Sequence, residues 1–154
     1  MEANCKFGNP TDDVGYLIWR VSKFWQRGKH RVLEEFGLTG PQLEILGAIY
    51  HMTMCKIEIT QIILSQETDI DPMTTSTIIR NLQKKGLISR RESKTDTRAR
   101  IVGITDAGEQ LFQRAITKVR EIQEVLFEDI DKDALKTQLV ILLNVLDKQK
   151  KVNN

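Results

Sequence analysis

The stretch Asp96-Thr97-Arg98-Ala99-Arg100-Ile101-Val102-Gly103-Ile104-Thr105-Asp106-Ala107-Gly108 decides how this chain is read. An acid and two arginines occupy a short polar turn, and an alternating apolar run follows. Thr105-Asp106 then has the form of a helix N-cap. Residues 87–91, Leu-Ile-Ser-Arg-Arg, read as a strand that pairs with residues 99–104 around the polar turn. An Arg-rich hairpin tip suits a nucleic-acid groove, where guanidinium groups meet phosphates and the potential of a narrow minor groove.

Charge strengthens that reading. The chain of 154 residues has a net charge of only +2. Residues 77–100, however, hold eight basic side chains (Arg80, Lys84, Lys85, Arg90, Arg91, Lys94, Arg98, Arg100) against Glu92 and Asp96, a local sum of +6. The remainder therefore sums to −4. Positive charge gathered in one segment is the electrostatic footprint of a nucleic-acid reader, although most charge runs are solvated faces. Here the run coincides with the hairpin.

Helices flank the hairpin on both sides. From Asp12 onward Val14, Leu17, Ile18, Val21, Phe24, Trp25, Val32, Leu33 and Phe36 recur at three- and four-residue steps, with Gly37 as a stop. Thr39-Gly40-Pro41 restarts the chain, and Leu43, Leu46, Ile49 and Tyr50 continue the period. Residues 58–68 form a short helix with Ile59, Ile62 and Ile63, and Leu64 beside them, turned inward. Asp71 caps the next helix and Pro72 opens it; it runs over residues 72–85, buries Ile78, Ile79 and Leu82, and stops at Gly86. After the hairpin, Leu111, Ala115, Val119, Ile122 and Leu126 mark one helix, and Leu135, Leu139, Leu142 and Leu146 mark a last one.

The fold class is thus mainly α with a small β-hairpin wing. Helix, tight turn, helix and hairpin in that order form a winged helix-turn-helix, whose second helix lies in the major groove. Two motifs give this order a family. Asp96, Arg98, Val102, Ile104, Thr105 and Gly108 fill D-x-R-x-x-x-V-x-[LI]-T-x-x-G, and Leu82-Gln-Lys-Lys-Gly86-Leu87-Ile88 fills L-x-x-x-G-L-[IV]. The chain resembles the MarR family of transcriptional regulators over about residues 12–144, with the specific motifs confined to residues 60–108.

The resemblance implies one MarR-type domain over residues 1–154. Its dimerisation helices fall at about 12–36 and 106–150, and its winged helix-turn-helix lobe at about 41–104. It implies a homodimeric repressor of a pseudo-palindromic operator on double-stranded DNA, released by a small aromatic or phenolic effector. Thr74, Thr75, Ser76, Thr77 and Arg80 are the candidates for contact from the recognition helix. Arg90, Lys94, Asp96, Arg98 and Arg100 are those from the wing, with Asp96 placed to hold Arg98 by a charge-assisted hydrogen bond. Two departures stand out: the usual glycine of the turn is Asp69, and the position commonly Arg after Ser76 is Thr77.

Trp19, Trp25, Tyr50 and His51 are the candidates for an effector pocket, although aromatics at such spacings are more often core. A redox-sensing regulator using Cys55 or Cys5 is the alternative switch; the family's reactive Cys position aligns with Gly15. A winged protein–protein adaptor without DNA binding is a third reading, which the +6 segment disfavours. An enzyme is not expected: no phosphate loop, G-x-S-x-G or paired catalytic carboxylates with a His occur. No cofactor or metal is expected, because His30, His51, Cys5 and Cys55 lack ligand spacing and Asp129, Asp131 and Asp133 lack the Gly and Glu of a calcium loop. Without a long apolar window or signal-peptide layout, the expected location is cytoplasmic, away from membranes.

Overall fold

The computed structural model describes residues 10–93 and 100–152. After a 3-10 turn at Pro10–Asp12 come helices α1 (Val14–Glu34), α2 (Gly40–Met54), α3 (Gln61–Thr68) and α4 (Pro72–Lys84). Strands β1 (Ile88–Glu92) and β2 (Arg100–Ile104) form an antiparallel pair, and α5 (Asp106–Leu126) and α6 (Lys132–Val152) follow. The chain divides into two compact units, Met1–Lys118 and Val119–Asn154. The mainly α fold with a hairpin wing, expected from the order of periodicities, is what the chain adopts.

In the first unit α2 is the central element. It packs against α1, α3, α4 and β2, and Leu43, Ile45, Leu46, Ile49 and Met52 are all buried along it. Leu33, Leu64, Ile79 and Leu82 from its neighbours are equally enclosed, and each such side chain stabilises the fold by about 1.5–3 kcal/mol. Its start is fixed by a reciprocal capping box, in which Gln42 N–H donates to Thr39 Oγ1 and Thr39 N–H donates to Gln42 Oε1.

Helix ends follow local chemistry. At the end of α1, Gly37 lies at φ +62°, its N–H donates to Glu34 O, and Leu38 N–H donates to Leu33 O. The end of α4 repeats the motif: Gly86 lies at φ +72° and Leu87 N–H donates to Leu82 O. After α2 a lysine does the same work, with Lys56 at φ +56° and Ile57 N–H donating to Met52 O.

One expectation about the short helix is corrected. It begins at Gln61, not at residue 58, and the residues before it are extended. Val102 N–H donates to Ile59 O at 2.8 Å, and Thr60 forms a bridge with Ile101, so this stretch lies along the free edge of β2. Extended pairing here satisfies the Val102 N–H, which a further helical turn at residues 58–60 would leave without this partner. The inward face is also corrected: Leu64 is fully buried and Ile62 faces solvent.

In the second unit α6 starts at an Asp131 cap, with Ala134 N–H donating to Asp131 Oδ1 at 3.0 Å. Its leucine stripe is present, but Leu135, Leu139 and Leu146 remain exposed, as do Val140, Ile141 and Leu143. Among the described residues no helix is long and apolar enough to cross a membrane.

Candidate nucleic-acid interface

Helices α3 and α4 are joined by a turn that side chains of both helices hold. Asp69 adopts the left-handed conformation at φ 55°, ψ 18°, the role that a glycine usually fills and that Asp tolerates. The carbonyl of Ile70 accepts from Ser65 Oγ at 2.7 Å and from Thr75 Oγ1 at 3.1 Å, tying the turn to both helices. Gln61 Nε2 donates to Pro72 O at 3.4 Å across the start of α4.

Asp71 caps α4 as expected: Thr74 N–H donates to its Oδ1 at 2.9 Å, and Pro72 occupies the first turn. Hydrogen bonds from the Thr74 side chain and then its backbone hold the Asp71 carboxyl below the usual carboxylate range. The buried stripe of α4 is Thr75, Ile78, Ile79 and Leu82. Thr75 is therefore corrected: its hydroxyl is fully enclosed and committed to Ile70 O, so it faces the core and not a groove. Thr74, Thr77 and Arg80 are exposed and Ser76 is half-buried. Thr77 Oγ1 donates to Met73 O at 3.1 Å, and Arg80 Nη2 donates to Thr77 Oγ1 at 3.4 Å, so these three form one ridge.

The basic segment separates into two roles. Lys85 Nζ donates to Gly37 O and to Gln42 Oε1, which fastens the end of α4 to the junction of α1 and α2. Across the hairpin, Glu92 opposes Arg100 in register and the two side chains pair at 3.0 Å. Arg91 lies 3.9 Å from Glu58 of the extended segment. These pairs are half-exposed, and pairs of that kind contribute at most about 1 kcal/mol. Arg80 and Lys84 point outward, with no carboxylate partner among the described residues. Arg90 is half-buried, with its Nε enclosed and unpartnered among the described residues. Lys94, Asp96 and Arg98, the expected tip of the wing, lie outside the described residues.

The wing is locked to α5 by the Thr105–Gly108 end of the motif. Thr105 N–H donates to Leu87 O, its hydroxyl donates to Gly86 O at 2.7 Å, and Gly108 N–H donates to that same hydroxyl at 3.1 Å. A Cβ on Gly108 would stand 1.9 Å from Leu87 O, so only glycine fits.

The four expected pocket residues do not share one environment. Trp19 is exposed, with its ring 5.8 Å from Tyr16 and Lys23 Nζ 4.8 Å above it. Trp25 is half-buried and His51 is exposed. Tyr50 is half-buried, packs on Phe112 at 5.2 Å, and accepts a hydrogen bond from Gln113 Nε2 at 3.4 Å. Cys55 is exposed at the end of α2, and Cys5 lies outside the described residues.

Sequence reasoning missed two features of this surface. Nothing local marks Lys85 as a structural cation. The outward position of Met73, by contrast, was available from its placement opposite the Ile78–Leu82 stripe.

The MarR family model matches residues 36–99. The HTH-type transcriptional regulator YdcH of Bacillus subtilis is 31% identical over 127 residues, covering 82% of this chain and 86% of its own length. The chain belongs to the MarR family. It is a winged helix-turn-helix, DNA-binding transcriptional regulator. Solved structures that share the fold of this MarR-family chain include two crystal structures. The DNA complex of Staphylococcus aureus MepR superposes with a TM-score of 0.77 at 23% identity, covering 89% of this chain and 96% of that one. CouR of Rhodococcus jostii RHA1, bound to p-coumaroyl-CoA, gives 0.76 at 21% identity, covering 90% and 94%.

Proposed function

We propose that this MarR-family chain is a homodimeric repressor of a pseudo-palindromic operator, released by a small aromatic ligand. The observation that carries the dimer is unpaid apolar surface: α1 exposes Val14, Leu17, Ile18, Val21 and Phe24, and α6 exposes Leu139, Val140, Ile141, Leu143 and Leu146. Apolar faces of this extent mark interaction surfaces, and a second copy covers them as a cut core would be covered. A twofold then sets two α4 helices on half-sites roughly 34 Å apart.

In each half-site Thr74, Ser76, Thr77 and Arg80 reach the major groove. Arg90, Lys94, Asp96, Arg98 and Arg100 serve the wing, with Arg98 entering the minor groove. Release by a ligand is supported by the p-coumaroyl-CoA held by CouR and by MepR, which regulates the multidrug efflux pump MepA. Trp19, Trp25, Tyr50 and His51 are the residues to watch for such a ligand.

Fluorescence anisotropy with the promoter region of its own gene tests the reading. Affinity should fall steeply from low to moderate salt, by about 0.9 in log–log slope for each phosphate neutralised. Phenolic acids should quench tryptophan and lower DNA affinity by the same coupling factor. Salt-independent affinity, or no affinity for any duplex, overturns the operator reading.

A further inference from the structure

Met73 is 82% exposed, more than any other large apolar side chain among the described residues. The core does not call for it. Helix α4 buries Thr75, Ile78, Ile79 and Leu82, while Met73 stands on the outward ridge with Thr77 and Arg80. We propose that Met73 is a specificity-determining residue that reads the 5-methyl group of a thymine in the operator's major groove. The proposal rests on the seating of α4 in that groove given above.

The start of α4 offers few free N–H groups to a phosphate. A helix N-terminus ordinarily attracts phosphate through its free N–H groups and its dipole. Here Pro72 has no N–H, and the N–H of Thr74 is taken by the Asp71 carboxylate at 2.9 Å. That carboxylate stays ionised to lower pH than usual because the Thr74 side chain and backbone bond to it. A negative cap beside a helix end disfavours phosphate there, which leaves the outward ridge headed by Met73 to meet base edges.

On those edges the pairs present donors and acceptors, and the thymine methyl is the apolar exception. A thioether side chain is flexible and polarizable enough to cover it. The ridge continues with Thr77, whose methyl can extend the apolar contact, and with Arg80, whose fork suits a guanine one step on. An exposed methionine at the head of a hydroxyl-and-guanidinium ridge thus has one apolar counterpart in DNA.

The experiment begins with duplexes that the full chain selects from a random-sequence pool. Each thymine is then replaced by deoxyuridine, which deletes only the methyl, and affinity is read by anisotropy for the wild type, Met73→Ala, Met73→Gln and Met73→Leu. One thymine in each half-site should be sensitive, with wild-type affinity falling about fourfold when its methyl is removed, the worth of burying one methyl-sized group. Met73→Ala and Met73→Gln should bind the thymine duplex more weakly and treat thymine and uracil alike there, while Met73→Leu keeps the preference. Because the side chain is exposed, circular dichroism should show all three variants folded. Wild-type indifference to every uracil exchange overturns the proposal, as does an unchanged preference in Met73→Ala and Met73→Gln. A wild-type chain that selects no duplex overturns the operator reading itself.

Discussion

Gly108 shows how one residue can fix the relation of wing and helix. Its amide bonds to Thr105 Oγ1, while Leu87 O, already accepting from Thr105 N–H, lies where a side chain would begin. Gly108→Ala would place Cβ 1.9 Å from that oxygen and 2.8 Å from its carbon. Backbone cannot yield as a flexible side chain does, so the first turn of α5 must move. The expected cost is that of overpacking, about 1–3 kcal/mol, seen as a lower melting temperature. An unchanged melting temperature would show that α5 shifts freely against the hairpin. Thr75 makes the complementary point: within a run of four hydroxyl residues, burial and the bond to Ile70 O take one of them out of the groove-facing set.

Among elements, α4 is held at both ends by different means. At its start the Asp71 carboxyl titrates below its ordinary value of 3.8, so the ionised cap favours the folded state. That contribution is fully present above the ordinary value and is lost as pH falls through the depressed one. Asp71→Ala should therefore lower the melting temperature at neutral pH, and its deficit should shrink as solutions are acidified below 3.8. A deficit that persists in acid would assign the loss to something other than the charged cap. At its end Lys85 binds Gly37 O and Gln42 Oε1. Lys85→Met should lower stability and DNA affinity while leaving the salt slope unchanged, because its ammonium is engaged within the fold. Lys84→Ala, which removes an outward charge, should make the slope shallower by about 0.9, whereas Arg80→Ala should weaken binding by about 1–3 kcal/mol and relax specificity at one base pair. A shallower slope for Lys85→Met would place that ammonium on a phosphate instead.

At the scale of the whole molecule, the proposed dimer rests on the exposed apolar faces of α1 and α6. A chain with so much uncovered Leu, Ile and Val should sediment as a dimer across the concentrations at which it binds DNA. Removing residues 131–154 deletes α6 and should leave a partner surface uncovered, giving aggregation or unfolding. A soluble, folded monomer from that truncation would contradict the proposed interface. The operator should then need two half-sites, since one recognition helix alone would forgo half of the phosphate contacts.

Much of this architecture was legible in the residues because its causes are local. Caps act over three residues, as at Thr39, Asp71 and Thr105, and left-handed stops act over a single turn, as at Gly37, Asp69 and Gly86. Amphipathic periods place the stripes of α4, α5 and α6, and the wing motif names the family that the comparisons establish. Other features follow from contacts between residues far apart in sequence, to which local periodicity is blind. The edge of β2 draws Ile59 into extended pairing with Val102, which shortens α3, and Ile62 lies outside. Packing of the helix-turn-helix encloses Thr75, and the approach of α4 to the α1–α2 junction gives Lys85 its carbonyl partner 48 residues away. Local rules chose the elements; unsatisfied backbone edges and volume in the core chose which faces they show.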